Sequence, residues 1–252
     1  MFTRGPRGVV ITESGEVLVS GARRLLDAAA TLRREVATPM ATTMKIGATT
    51  TSAGSLLAPY LSEWIPNHLD VHLSAVEDSD LQLQIRLENG DCDVAVISGV
   101  PSSTLESLKI ATVQVMAMMP FGHRLAQNEA PVSVVDLSQE PLLLNGPGYP
   151  STNLTLHAME IAGLTPDIVF QCSAGPTLAA MAEAGMGVAV FGNTTNLQGH
   201  NLCRRQVLDA SGMPLRFNLY IAWKRGNVSS TIKEFGVGLA TFLRQRRISS
   251  DD

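Results

Sequence analysis

Apolar residues recur near the start of the chain with a period of seven. Leu18, Leu25 and Leu32 form one row, and Ala22, Ala29 and Val36 form a second row offset by four. Such a pattern is an a/d seam. It predicts a helix over residues 13–36 whose narrow apolar stripe suits a partner helix, with Glu16, Arg23, Asp27, Arg34 and Glu35 outside the seam. The alternative is that the helix packs on its own domain. Thr12 stands where a cap is needed. Thr38-Pro39 ends the helix, because proline disfavours helical backbone at the residue before it, and residues 38–43 then read as a hinge.

From Met44 onward the pattern changes to short apolar runs alternating with helical segments. Strands are predicted over 44–49, 71–77 and 93–97, separated by helices over 54–65, stopped by Pro66, and 79–89, capped by Ser79 and closed by Gly90. In the second of these helices Leu81, Leu83, Ile85 and Leu87 lie closer to period two. A second series follows, with strands over 113–119, 142–144, 168–172, 188–191 and 217–224 and helices over 132–137, 153–162, 177–184 and 229–246. This β-α-β alternation predicts an α/β fold built on parallel sheet with helices on both faces.

At 252 residues the chain has room for two domains. Its formal net charge of −4 excludes a protein that binds nucleic acid over its whole surface. Any DNA contact must be local, at Arg4 and Arg7 or at Arg23, Arg24, Arg33 and Arg34, and the last four serve equally well as a solvated helix face. No apolar run approaches the ~18 residues of a membrane span. No apolar stretch follows Arg4 and Arg7 as it would in a secretory leader. A cytoplasmic protein without membrane partners is therefore expected. Cys92, Cys172 and Cys203 are widely spaced and form no CxxC, which suits buried reduced thiols; a Cys172–Cys203 redox pair is the alternative.

Catalytic signals are missing. His68, His72, His123, His157 and His200 have no paired metal spacing, and no G-x-S-x-G elbow occurs. Gly185, Gly187 and Gly192 do not make a dinucleotide fingerprint, and the run 49–52 lacks the Gly-Lys of a phosphate loop. No catalytic residue, metal or cofactor is expected.

What remains is a set of small polar residues at the C-terminal ends of predicted strands, where open α/β sheets bind ligands, often on helix N-termini. These are Thr50, Thr51 and Ser52; Ser98 and Gly99; Gly146 and Ser151; Ser173, Gly175 and Thr177; and Phe191 and Gly192. Singly, Ser52 and Thr177 read equally well as helix caps. As a set, the five turns point to a cleft that takes one small molecule through hydroxyls and backbone amides.

Several segments together resemble the LysR-type transcriptional regulators. Phe2, Arg4, Arg7-Gly8-Val9 and the turn from Thr12-Glu13 to Gly15 are similar to that family's wing and linker-helix start. Residues 46–61, IGATTTSAGSLLAPYL, resemble the start of its effector domain. Gly90-Asp91-Cys92-Asp93, Pro120-Phe121-Gly122-His123 and Ala184-Gly185-Met186-Gly187 match further turns in the family's order, although Arg124 stands where a proline is common. The resemblance covers essentially the whole chain from Phe2. It implies a periplasmic-binding-protein-like type 2 fold, two Rossmann-like subdomains with a cleft between them, preceded by a long linker helix. The implied layout is a wing remnant over 1–12, a dimerisation helix over 13–37, a hinge over 38–43, one effector subdomain over 44–112 plus 218–246, and a second over 113–217. The implied ligand is a small organic molecule, often an anion, and the implied assembly is a homodimer or tetramer. DNA reading would need the helix-turn-helix upstream of the wing, leaving Arg4 and Arg7 to touch phosphate only. A stand-alone cytoplasmic small-molecule-binding protein of the same fold is the alternative, and the heptad helix argues against it.

Overall fold

The computed structural model describes residues 1–5, 8–37, 42–226 and 228–248. The chain divides into two compact units, residues 1–43 with 69–72 and residues 44–68 with 73–252.

The first unit opens with an antiparallel hairpin of β1 (Phe2–Gly5) and β2 (Gly8–Ile11), with Phe2 opposite Ile11. The Thr12 N–H donates to the Met1 carbonyl at 2.9 Å. The Thr12 hydroxyl accepts the Gly15 N–H at 3.2 Å, capping α1 (Glu13–Ala37) as the sequence suggested. Glu13 and Glu16 place negative charge in the first turn, where the helix dipole favours it. Leu18, Ala22, Leu25 and Ala29 are exposed, Leu25 at 74%. Val17, Leu18, Gly21, Ala22 and Leu25 line a groove along this face. Leu32 and Val36 lie in α1 and Arg4 in β1, but their side chains fall outside the described residues, as do those of Arg23, Arg24, Arg33 and Arg34. Arg7 and residues 38–41 lie outside the description altogether. The expected hinge needs one correction, because Thr42 and Thr43 are already strand.

In the second unit the elements run β3 (Thr42–Ala48), α2 (Thr50–Ser52), a π-helical turn Ala53–Leu57, α3 (Ala58–Trp64), β4 (Val71–Glu77), α4 (Asp80–Asn89), β5 (Val94–Ser98) and β6 (Leu105–Pro120). They continue with β7 (Val132–Ser133), α5 (Val134–Leu137), β8 (Pro141–Asn145), α6 (Pro150–Ile161), β9 (Asp167–Cys172), α7 (Gly175–Glu183), β10 (Val188–Gly192), β11 (Leu202–Leu208), β12 (Arg216–Lys224) and α8 (Ser230–Ile248). The strand order is β4-β3-β5-β12-β6-β10-β8-β9, with β11 paired to β6 and to β7.

The sheet is mixed, which corrects the expectation of a parallel one. β3 and β5 are parallel, as are β8 with β9 and β8 with β10. β12 runs antiparallel to both β5 and β6, and β6 runs antiparallel to β10 and β11. β6 carries the join. Its residues 105–114 pair with β12, and its residues 115–120 pair with β10 and β11. Two half-sheets therefore meet along one strand.

Each half-sheet has its own core. Leu83, Leu87, Cys92, Ala95, Ile97 and Leu105 pack together in the first. In the second, Val115, Ala117, Met119 and Leu142 fill one face, and Met118, Leu143, Leu178 and Phe191 fill the other. This is the alternation of a strand buried on both sides. The ambiguous apolar spacing of α4 is resolved the same way. Leu83 and Leu87, one helical turn apart, are fully buried, whereas Leu81 and Ile85 are exposed at 57% and 40%. Gly90 closes α4 in the left-handed region (φ 80°), and the Asp91 N–H returns to the Arg86 carbonyl at 2.8 Å.

Helical backbone after β3 begins at Thr50 rather than Gly54, and Pro66 does not stop it. Pro59 has no N–H to donate, and the π turn just before it absorbs the mismatch. Pro66 sits inside a 3₁₀ turn, Ile65–Asn67. The segment expected as helix over 132–137 is a short strand followed by one helical turn, held by a capping box between Ser133 and Asp136. The three cysteines are free, with Cys92 and Cys203 buried and Cys172 half-buried. Among the described residues no helix is long and apolar enough to cross a membrane, and no cluster of His, Cys, Asp or Glu is placed to hold a metal ion.

Candidate functional site

The C-terminal ends of β3, β8, β10 and the N-terminal part of β12 converge on a narrow cavity of about 40 Å³. Thr49, Thr51, Ser52 and Leu219 line it from the first half-sheet, and Asn145, Tyr149, Ser151, Phe191, Gly192, Thr194 and Thr195 from the second. A second cavity of about 380 Å³ adjoins it, lined by Leu81, Gln84, Ser98, Gly99, Gly148, Asn153, Leu154 and Arg216. Asp80, Pro150 and Phe217 line both.

Local sequence explains why these side chains meet. Thr49 caps α2, and its hydroxyl accepts the Ser52 N–H at 3.2 Å and donates to the Ser52 hydroxyl at 3.1 Å. Thr49, not Ser52, is thus the cap, and the capping leaves Ser52 buried against the cavity. α4 begins at Asp80 and α6 at Pro150, whose missing N–H costs nothing in a first turn. The first turns of three helical segments therefore border the same space. Gly175 opens α7 and is buried. A Cβ there would stand 2.8 Å from the Thr195 methyl of the same half, and 3.5 Å, an ordinary contact, from the Thr51 hydroxyl. Thr112 on β6 and Asn218 on β12 are bonded at 3.0 Å where β6 leaves the first half-sheet.

Of the residues expected from sequence, Thr51, Ser52, Ser151, Phe191 and Gly192 share the narrow cavity, and Ser98 and Gly99 share the wider one. Four line neither. The Thr50 hydroxyl donates to Glu77 at 2.8 Å, and the Gly146 N–H is taken by the Cys172 carbonyl at 3.2 Å. Ser173 is exposed, and the exposed Thr177 gives its N–H to the Ala174 carbonyl within its own turn.

Sequence reasoning missed Asp80, Tyr149, Thr194, Thr195, Phe217 and Arg216. Thr194 and Thr195 follow Gly192 after one intervening residue, Asn193, and extending that turn by three residues would have found them. Arg216 adds a cation to the lining of the wider cavity. It lies at the start of β12, outside the strand-end turns. Asp80 carries the least usual chemistry. Only 6% of it is exposed, and one carboxylate oxygen accepts the Ser98 N–H at 2.7 Å. Burial pushes its pKa up to about 6 despite the opposing hydrogen bonds from Ser98. Tyr149 is also pushed up, by burial first and then by the negative charges of Asp80, Asp78 and Glu77 and the Cys172 thiol. Asp78 is paired with Arg86 at 2.9 Å.

Two α/β half-sheets around a cleft of hydroxyls, amides and helix N-termini define a small-molecule-binding module of the periplasmic-binding-protein type 2 fold. The chain belongs to the LysR substrate-binding-domain family, whose model matches residues 38–237. It is 27% identical over 197 residues to the HTH-type transcriptional regulator CysB of Burkholderia cenocepacia, covering 76% of this chain and 63% of CysB. With the HTH-type transcriptional regulator TtuA of Agrobacterium vitis it shares 29% identity over 235 residues, 89% of this chain and 77% of TtuA. The regulatory domain of Synechocystis CcmR, solved in complex with 2-PG, superposes with a TM-score of 0.71 at 16% identity, covering 81% of this chain and 98% of that domain.

Proposed function

We propose that this chain is the sensing portion of a LysR-type transcriptional regulator in the bacterial cytoplasm. A small organic ligand enters the cleft between the half-sheets, and its binding shifts a closure equilibrium that paired linker helices convey to DNA-binding domains upstream. The observation that carries this reading is the pair of adjoining cavities walled by strand ends and helix N-termini of both half-sheets. A ligand touching both walls binds open and closed arrangements unequally, which is the condition for it to shift their populations. The subdomains would be residues 44–112 with 218–246, and residues 113–217. The exposed row Leu18, Ala22, Leu25 and Ala29 supports pairing of α1 with a second copy.

The test is thermal unfolding against a broad panel of small organic acids, 2-PG among them, extended to sugars and amino acids. At least one compound should raise the melting temperature, and an unchanged melting temperature across the whole panel would count against the effector cleft. Thr51→Val keeps the side-chain shape and removes a hydroxyl from the narrow cavity. It should weaken the best ligand about tenfold, the worth of one hydrogen bond of roughly 1.4 kcal/mol. Calorimetric titration of both proteins measures the ratio, and equal affinities would remove Thr51 from the site.

A further inference from the structure

We infer that the effector is a zwitterion of the amino-acid class, with an ammonium group received by Asp80 and an acidic group received on the Arg216 side of the wider cavity. This rests on the effector-cleft reading above and narrows it. Two observations carry it. Asp80 is more than nine-tenths buried and faces both cavities, so a bound ligand meets a carboxylate shielded from water. Arg216 lines the wider cavity too, and it is the one cation among the described residues that line either cavity.

The surrounding charges sharpen the argument. Asp80 accepts hydrogen bonds from the Ser98 N–H, the Ser98 side chain and its own N–H, all neutral donors. Among its acidic neighbours around Tyr149, Asp78 is paired with Arg86 and Glu77 accepts the Thr50 hydroxyl. At neutral pH Asp80 is largely ionised, since burial raises it only to about 6. A simple carboxylate ligand entering here meets an uncompensated negative charge in a poorly solvated space, which disfavours it. An ammonium group reverses the sign of that interaction, and its N–H groups fit an acceptor-only carboxylate. The acidic end of the same ligand is served by Arg216. Gln84 and Asn153, which line the wider cavity, leave its remaining polar surface neutral.

Matched ligands read this directly. The wild-type chain is titrated at pH 7.5 with the proteinogenic L-amino acids, and each is compared with the acid that lacks its α-amino group. The best amino acid should bind at least tenfold more tightly than its deaminated partner. Asp80→Asn should cut that preference at least tenfold, mainly by weakening the amino acid. Arg216→Gln should weaken both members of the pair. A deaminated acid that binds the wild type as tightly as its amino acid, or a preference unchanged in Asp80→Asn, would overturn the inference and leave the cleft standing as an effector site. So would hits confined to compounds without an amine in the broad panel. The wild-type comparison alone decides the ligand class if a variant does not fold.

Discussion

At pH 7.5 Asp80→Asn should unfold at a higher temperature than the parent chain, and at pH 4 the two should nearly coincide. The unfolded chain ionises Asp80 near 3.8, whereas burial raises the folded value to about 6. Below 3.8 the group is protonated in both states and costs nothing. Between 3.8 and 6 the unfolded state loses its proton first, so stability falls as the pH rises. Above 6 the full cost is present. The gap between the two values corresponds to roughly 3 kcal/mol at most. Asparagine escapes the charge but donates nothing extra to Ser98 and accepts its N–H less strongly, so a net gain of about 1–2 kcal/mol is expected. For a protein of this size that is several degrees in melting temperature. Melting curves of both proteins from pH 4 to pH 8 measure it, and parallel curves would mean that Asp80 titrates like a solvated carboxylate. A residue that weakens the empty protein at neutral pH and lines the cleft is a candidate for the exchange of stability against binding that functional sites commonly make.

The second large effect is expected at Gly187. A Cβ there would collide with the Pro141 carbonyl oxygen and lie 3.0 Å from its carbon. Both are backbone atoms at the start of β8, and the next residue, Val188, is already registered against Leu142. Relief would require β8 and β10 to separate at the centre of the second half-sheet. Gly187→Ala should cost about 3 kcal/mol or more, the upper range for forcing atoms into a packed interior. That corresponds to roughly 6–12 °C in melting temperature. Gly122→Ala is the control, because a Cβ there meets nothing within 4 Å. It should leave the melting temperature within about 2 °C. Equal melting of both variants would mean that the strand pair yields more readily than its register suggests.

The sequence made the element series legible wherever a strand is buried on both sides or a helix ends in a clear signal. Val94–Ile97 and Val188–Phe191 are unbroken apolar runs, and Gly90, Gly163 and Gly185 mark helix ends by their positive φ. Polar strands were not legible. β11 reads LCRRQVL, with Arg204, Arg205 and Gln206 in its middle, because those residues are only partly covered. Arg205 instead bonds the carbonyls of Ala126 and Asn128, at 3.1 and 2.7 Å. β6 begins at Leu105, eight residues before the expected start at Val113, since Glu106, Ser107 and Lys109 dilute the apolar pattern. Strand direction was not legible either. Alternating β and α segments imply parallel neighbours, but β12 arrives from a distant part of the chain and inserts antiparallel. In the site, residues at strand ends were found because position alone selects them. Asp80 and Arg216 were missed because their importance lies in burial and in which cavity they face, and neither is written in local spacing.

That late insertion of β12 bears on how the chain is made. The Trp223 indole N–H reaches Glu106 at 3.1 Å across 117 residues of sequence. β5 and β6 of the first half-sheet are synthesised early, and the strand that joins them comes only after every strand of the second. On the ribosome, Val94–Ser98 and Leu105–Thr112 must each wait with an open edge while the second half-sheet assembles from the residues between Thr112 and Arg216. Unpaired apolar edges of this kind are the usual entry to aggregation, and long-range pairing of this kind is slow. A nascent chain arrested before Arg216 should therefore engage chaperones through its first half-sheet while its second is already native, and release should follow the emergence of Arg216–Lys224.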